Sequence, residues 1–169
     1  VSEDALLFRQ TARPTDDRDW SLTVEHVPHP DEDALLLDVD FEGDGYDLHV
    51  VVDPALSCHA DHDVARARED ALLAAHDAPE DAEPAFLTEQ GDPIDVGLGV
   101  ASADGFDWTT ADVREGDVEA ALLETGATDE RHDEARGNVV LAGTLSSHET
   151  TLALGFAEES HDEAALVTA

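Results

Sequence analysis

Short apolar runs of strand length, separated by acidic or glycine-containing connections, recur along the chain. They lie at Leu6 to Arg9, Ser21 to Val27, Ala34 to Phe41, Tyr46 to Val52, Val96 to Ala101, Asn138 to Leu145 and Thr150 to Phe156. In Asp31 to Phe41 (DEDALLLDVDF) a continuous apolar centre stands between charged flanks, the pattern of a buried strand with solvated ends. Glu42-Gly43-Asp44-Gly45 is rich in residues that tolerate positive φ and predicts a hairpin joining Leu35 to Phe41 with Tyr46 to Val52. Ser146-Ser147-His148 predicts the same between the last two strands. Ser57 to Arg68 and the acidic, proline-containing His76 to Pro84 read as loops. Helical signals are few. Glu119 to Glu124 (EAALLE) fits a turn of helix or a strand, and Ser160-His161-Asp162-Glu163 forms a capping box ahead of Ala164 to Ala169, a short C-terminal helix start. Many strands followed by one short helix predict an all-β antiparallel sandwich, a single domain over residues 1–169.

Charge changes this picture in one respect, the solvent. Asp and Glu number 42 against 8 basic residues, all arginine, for a formal net charge of -34 over 169 residues. The carboxylates run from Glu3 to Glu163 and alternate with apolar residues that make up 41% of the chain, so a core forms and disorder is not the reading. A Debye length of roughly 10 Å at about 0.1 M salt leaves such neighbours repelling, whereas molar salt shortens it to roughly 3 Å. The composition therefore points to a high-salt cytoplasm or brine. Nucleic acid and anionic membrane surfaces are excluded as partners, because their phosphates would meet a strongly negative surface. No apolar run reaches the roughly 20 residues of a membrane span, and no basic, then apolar, leader stands at the N-terminus. The chain lacks methionine and begins at Val1, which reads as an excised piece of something longer.

Candidate chemistry is sparse. Cys58, the only cysteine, lies in Cys58-His59-Ala60-Asp61-His62-Asp63, which is dense in ligand-type side chains. Its spacing matches no zinc pattern, so it reads as a solvated acidic loop and no metal is assigned. A glycosidase pair cannot be selected from 42 carboxylates without their separations. No serine sits in a G-x-S-x-G setting, and Gly97-Leu98-Gly99 lacks the third glycine of a phosphate-binding turn. No catalytic residue and no cofactor is assigned. Among the aromatics Trp20, Tyr46, Phe106 and Trp108, Trp108 beside Thr109 and Thr110 is the candidate for stacking on a sugar ring, with packing in the core as the alternative.

Several uncharged landmarks stand among the acids. Leu36-Leu37-Asp38-Val39-Asp40-Phe41-Glu42 is followed by Tyr46-Asp47-Leu48-His49-Val50-Val51-Val52-Asp53-Pro54-Ala55-Leu56. Much later come Gly137-Asn138-Val139-Val140, Gly143-Thr144-Leu145, Leu152-Ala153-Leu154-Gly155-Phe156 and Glu163-Ala164-Ala165. In order and spacing, from Ala34 onward and more weakly from Leu7 to Val27, this resembles the N-terminal domain of prokaryotic glucoamylases and glucodextranases, family fifteen of the glycoside hydrolases. The resemblance implies a super-β-sandwich of the galactose mutarotase type, packed on a separate (α/α)6 barrel that supplies the catalytic acid and base. The chain itself would then be a noncatalytic accessory domain of an α-glucan exo-hydrolase. The loop carrying Asp53, Pro54, Leu56, Asp61 and Asp63 becomes the candidate contact with barrel or substrate. Departures are the acidic stretch from Ala67 to Pro93, and His49 where the family tends to have tyrosine. The family domain also extends further at its N-terminus, which implies an incomplete sandwich here. Two other readings compete: a freestanding carbohydrate-binding sandwich using Trp108, and a small mutarotase-like enzyme using histidine and glutamate.

Overall fold

A computed structural model describes residues 7–56, 62–77, 96–126, 128 and 130–158. Within them the strands are β1 (Phe8–Ala12), β2 (Trp20–Pro28), β3 (Ala34–Gly43), β4 (His49–Val52), β5 (Asp63–Ala67), β6 (Ala71–His76), β7 (Val96–Ser102), β8 (Phe106–Val113), β9 (Glu134–Gly137), β10 (Val139–Leu145) and β11 (Glu149–Glu158). One helix, α1 (Asp117–Thr125), follows β8. The strands form an eight-stranded sheet in the order β1-β2-β3-β11-β7-β6-β5-β9 and a three-stranded sheet in the order β4-β10-β8. Every pairing is antiparallel, and the chain is an all-β sandwich as the strand pattern predicts. The capping box and helix start at 160–169 lie outside the described residues.

Both predicted hairpins are corrected. β3 pairs with β2 and β11 in the large sheet, while β4 pairs with β10 in the small one. The Ser146 to His148 connection likewise leaves β10 in the small sheet and enters β11 in the large one. Each turn reverses the chain, but it carries it across the sandwich instead of along one sheet. Packing decides between the two, because Val39 of β3 shares a core with Leu48, Val50, Leu145 and Leu152, a set that only facing sheets bring together. The two crossings are stitched side by side. The amide of Phe41 donates to the carbonyl of His148 (2.9 Å), the amide of Leu145 donates to that of Leu48 (2.9 Å), and His148 Nε2 meets the carbonyl of Tyr46 (2.9 Å).

The loop expected over Ser57 to Arg68 is corrected too, since its second half is β5, buried almost throughout. β5 and β6 close through a tight turn in which the Arg68 amide donates to the Ala71 carbonyl (2.8 Å). Their alanines are small enough for the sheets to approach closely. Ala65, Ala67, Leu72, Ala74, Leu98 and Val100 of the large sheet pack on Ala111, Val139 and Leu141 of the small one. Phe106 and Leu154 touch both this cluster and the one around Val39. Gly143 makes room for Phe106, whose Cδ1 would lie 2.7 Å from a Cβ placed there.

Candidate functional site

Of the expected loop residues, Asp53, Pro54, Leu56 and Asp63 lie within the described structure, and Asp61 lies outside it. Asp53 is exposed at the end of β4 and pairs with Arg114 just beyond β8, whose guanidinium also comes within 3.8 Å of Glu119. Pro54 and Leu56 are buried, Leu56 within the main core. Asp63 opens β5 wholly buried. Its Oδ2 accepts the Leu56 amide (3.2 Å) and its Oδ1 meets His76 Nδ1 (3.1 Å). Burial pushes the Asp63 carboxyl above its ordinary range, and the His76 and Leu56 hydrogen bonds pull against that. The His62 ring stands edge-on to His76 at 6.3 Å. This carboxylate therefore ties Leu56, the head of β5 and the end of β6 into one corner. Among the described residues no group of three or more His, Cys, Asp or Glu is placed to hold a metal ion.

Trp108 lies on the outer face of the small sheet, in a row with Thr144 of β10 and His49 of β4. It is half-buried, and its Nε1 is buried with no hydrogen-bond partner among the described residues. His49 links sheet and helix. His49 Nδ1 meets Thr144 Oγ1 (3.0 Å) and its Nε2 meets the carbonyl of Gly126, the left-handed C-cap of α1 (2.9 Å). At the other end of α1 the Ncap is Gly116, which has no side chain to cap with. Asp112 of β8 serves instead, its Oδ2 accepting the Val118 amide (3.1 Å). Helix α1 thus lies over the outer face, with Val118 buried against it. A crevice of about 80 Å³ remains between helix and sheet, walled by Val51, Thr110, Val118, Leu122, Leu123 and Val140. Its outer lip is apolar and open to solvent, with Val51 50% and Leu123 78% exposed.

Neither the Asp63 corner nor this helix-covered face was named from sequence. In the sequence Asp63 belongs to the candidate contact loop, and its partner His76 stands thirteen residues on, at the start of a segment that reads as another loop. The face depends on β8, a strand hidden in Phe106 to Val113 because its alternation mixes aromatic, hydroxyl and acidic residues.

The family model described as glucodextranase, domain N, matches residues 1–169. None of the curated proteins matches the chain. Among solved structures, a bacterial glucoamylase complexed with acarbose superposes with a TM-score of 0.68 at 17% identity, covering 98% of this chain and 25% of that one. A family GH92 inverting mannosidase from Bacteroides thetaiotaomicron superposes with a TM-score of 0.53 at 12% identity, covering 87% of this chain and 17% of that one. The chain thus spans about a quarter of the length of the solved glucoamylase it matches.

Proposed function

The chain belongs to the glucodextranase domain N family, and from that membership we propose that it is a noncatalytic accessory domain of an α-glucan hydrolase of the glucoamylase type. On this reading residues 1–169 are one domain of a longer enzyme and dock on a separate helical catalytic barrel. The match along the full length carries the proposal, and the sandwich superposed on one quarter of a glucoamylase supports it. The docking face is the outer side of the small sheet. Val51 and Leu123 are large apolar side chains exposed together, on a chain whose surface is otherwise crowded with carboxylates. Asp53 and Arg114 flank them as a charged rim. The charge of -34 suits the domain to molar salt.

The reading frame beyond Ala169 provides the first test, since a continuing segment of helical periodicity is the expected result. The second is association in molar potassium chloride between this chain and the catalytic segment of its enzyme. The wild-type chain should co-elute with that segment and raise its melting temperature, whereas Val51→Asp with Leu123→Asp should abolish both effects and leave the chain's own melting nearly unchanged. Association of the doubly substituted chain at wild-type strength would remove this face from the interface. A chain that leaves every candidate catalytic segment unaffected would remove the accessory role.

A further inference from the structure

We propose that the outward side of α1 recognises its docking partner by charge: the catalytic segment lays there an apolar surface carrying two basic side chains, one for Asp117 and one for Glu124. This rests on the accessory reading above and adds to it the chemistry of the partner. Helix α1 turns Val118 into the molecule, 1% exposed, and Leu122 toward the crevice beneath. Its other side presents Asp117, Ala120, Leu123 and Glu124, all exposed. These positions follow the steps of three and four residues that bring side chains to one face of a helix. Leu123 also forms the lip of the crevice with Val51 of β4. The outward side is therefore an apolar strip with a carboxylate at each end. Seven residues of helix separate Asp117 from Glu124, a rise of about 10.5 Å, which sets the spacing of the two cations on the partner.

The charges around this strip are unequally satisfied. From Asp112 to Glu124 the chain holds five carboxylates and one arginine. Asp112 accepts from the amides of Val113 (2.8 Å) and Val118 (3.1 Å). Glu119 accepts from the Glu115 amide (2.6 Å), and Arg114 is taken up by Asp53, with Glu119 at 3.8 Å. The one local cation is thus engaged beside the helix, and Asp117 and Glu124 have no basic partner among the described residues. Asp117 has a local reason to be acidic, since a carboxylate in the first turn suits the positive end of the helix. Glu124 has none. It stands in the last turn, where the helix end is itself negative and no basic residue accompanies it. Covering either carboxylate with an apolar or acidic surface would strand a charge. A guanidinium or ammonium on the partner removes that cost, and it distinguishes the cognate surface from carboxylate-rich ones, which the strip repels.

Glu124→Lys carries the test, because its effects on helix and interface have opposite signs. In molar potassium chloride the free Glu124→Lys chain should melt at or slightly above the wild-type temperature, since lysine suits the negative helix end. The same chain should bind the catalytic segment about tenfold more weakly by calorimetry, and Glu124→Gln about threefold more weakly. Asp104→Lys makes an equal charge change in the β7–β8 turn, among the carboxylates on the outer face of the large sheet, and should leave binding unchanged. Wild-type or tighter binding by the Glu124→Lys chain would overturn the charge recognition. So would an equal loss from Asp104→Lys, which would trace the effect to net charge. If either occurs while Val51→Asp with Leu123→Asp still abolishes association, the docking face stands and the basic partner falls. If the wild-type chain binds no catalytic segment, the accessory reading and this inference fall together.

Discussion

Asp63→Ala and Asp63→Asn together measure what the buried corner contributes. Asp63 is 0% exposed and its two oxygens serve two groups, the Leu56 amide at 3.2 Å and His76 Nδ1 at 3.1 Å. Alanine removes both contacts and leaves the Leu56 amide without its acceptor in a buried place. An orphaned buried donor costs about 1–3 kcal/mol, and the His76 ring loses its hydrogen bond to Asp63 as well. A loss of about 3 kcal/mol is expected, which for a chain of this length lowers the melting temperature by about 6–12 °C. Asparagine keeps an acceptor for Leu56 and offers an N–H toward His76, so it should stay within about 1 kcal/mol of wild type. The sign of the pH dependence follows from burial raising the Asp63 carboxyl above its ordinary value of 3.8. The folded protein then holds the proton more tightly than the unfolded chain. The corresponding stability is fully present below the unfolded value and is lost as pH rises through the elevated folded value. Asparagine lacks this titration, so the wild-type minus Asp63→Asn stability difference should shift against wild type across that window. The assay is thermal unfolding by circular dichroism at fixed molar salt over a pH series. An Asp63→Ala chain as stable as wild type, or an asparagine chain as damaged as the alanine one, would refute the reasoning.

Three further outcomes are expected. On the outer face of the large sheet Asp40 stands directly opposite Glu149; at about 5 Å in water two such charges repel by roughly 0.5 kcal/mol at about 0.1 M salt and far less in molar salt. Asp40→Asn should therefore stabilise the chain mainly at low salt, and an equal gain at both salts would show that repulsion is not the cause. Gly143→Ala drives a methyl to 2.7 Å from Phe106 Cδ1 and should cost about 1–3 kcal/mol by displacing a ring that joins the two cores, as urea unfolding would reveal; a neutral result would mean that the ring moves freely. Asp112→Ala removes the acceptor of the Val118 amide and should cost about 1 kcal/mol, with hydrogen exchange accelerated selectively in α1. Uniform acceleration over the sandwich would speak against a capping role.

Five of the eleven described strands were legible because their residues alternate or run apolar over strand lengths: β2, β3, β7, β10 and β11 fall on the expected segments. Which strands pair was not legible from the turns. Glu42 to Gly45 and Ser146 to His148 encode a reversal of direction, and that reversal is equally compatible with a hairpin and with a step to the facing sheet. The choice depends on contacts such as Val39 with Val50, which local sequence does not carry. β5 and β6 were hidden because alanine has little strand preference and because Asp63, Arg66 and Arg68 resemble a solvated loop. Asp63 enters the core only because His76 and the Leu56 amide meet it there. Trp108 was legible as a half-exposed aromatic but not as part of a helix-covered face, since α1 reaches that face through Asp112 and His49.

The position of β11 has a consequence for how the protein is made. It lies between β3 and β7, pairing Thr150 with Val39 on one side and Leu154 with Val100 on the other. During synthesis β3 leaves the ribosome more than a hundred residues before the strand that completes its pairing, a wait of roughly ten seconds at ordinary elongation rates. Through that interval the large sheet exists only as two halves, each with an open edge at the future seam. Closure of the large sheet therefore waits for the arrival of β11, and the nascent chain is most vulnerable to mispairing just before that strand arrives.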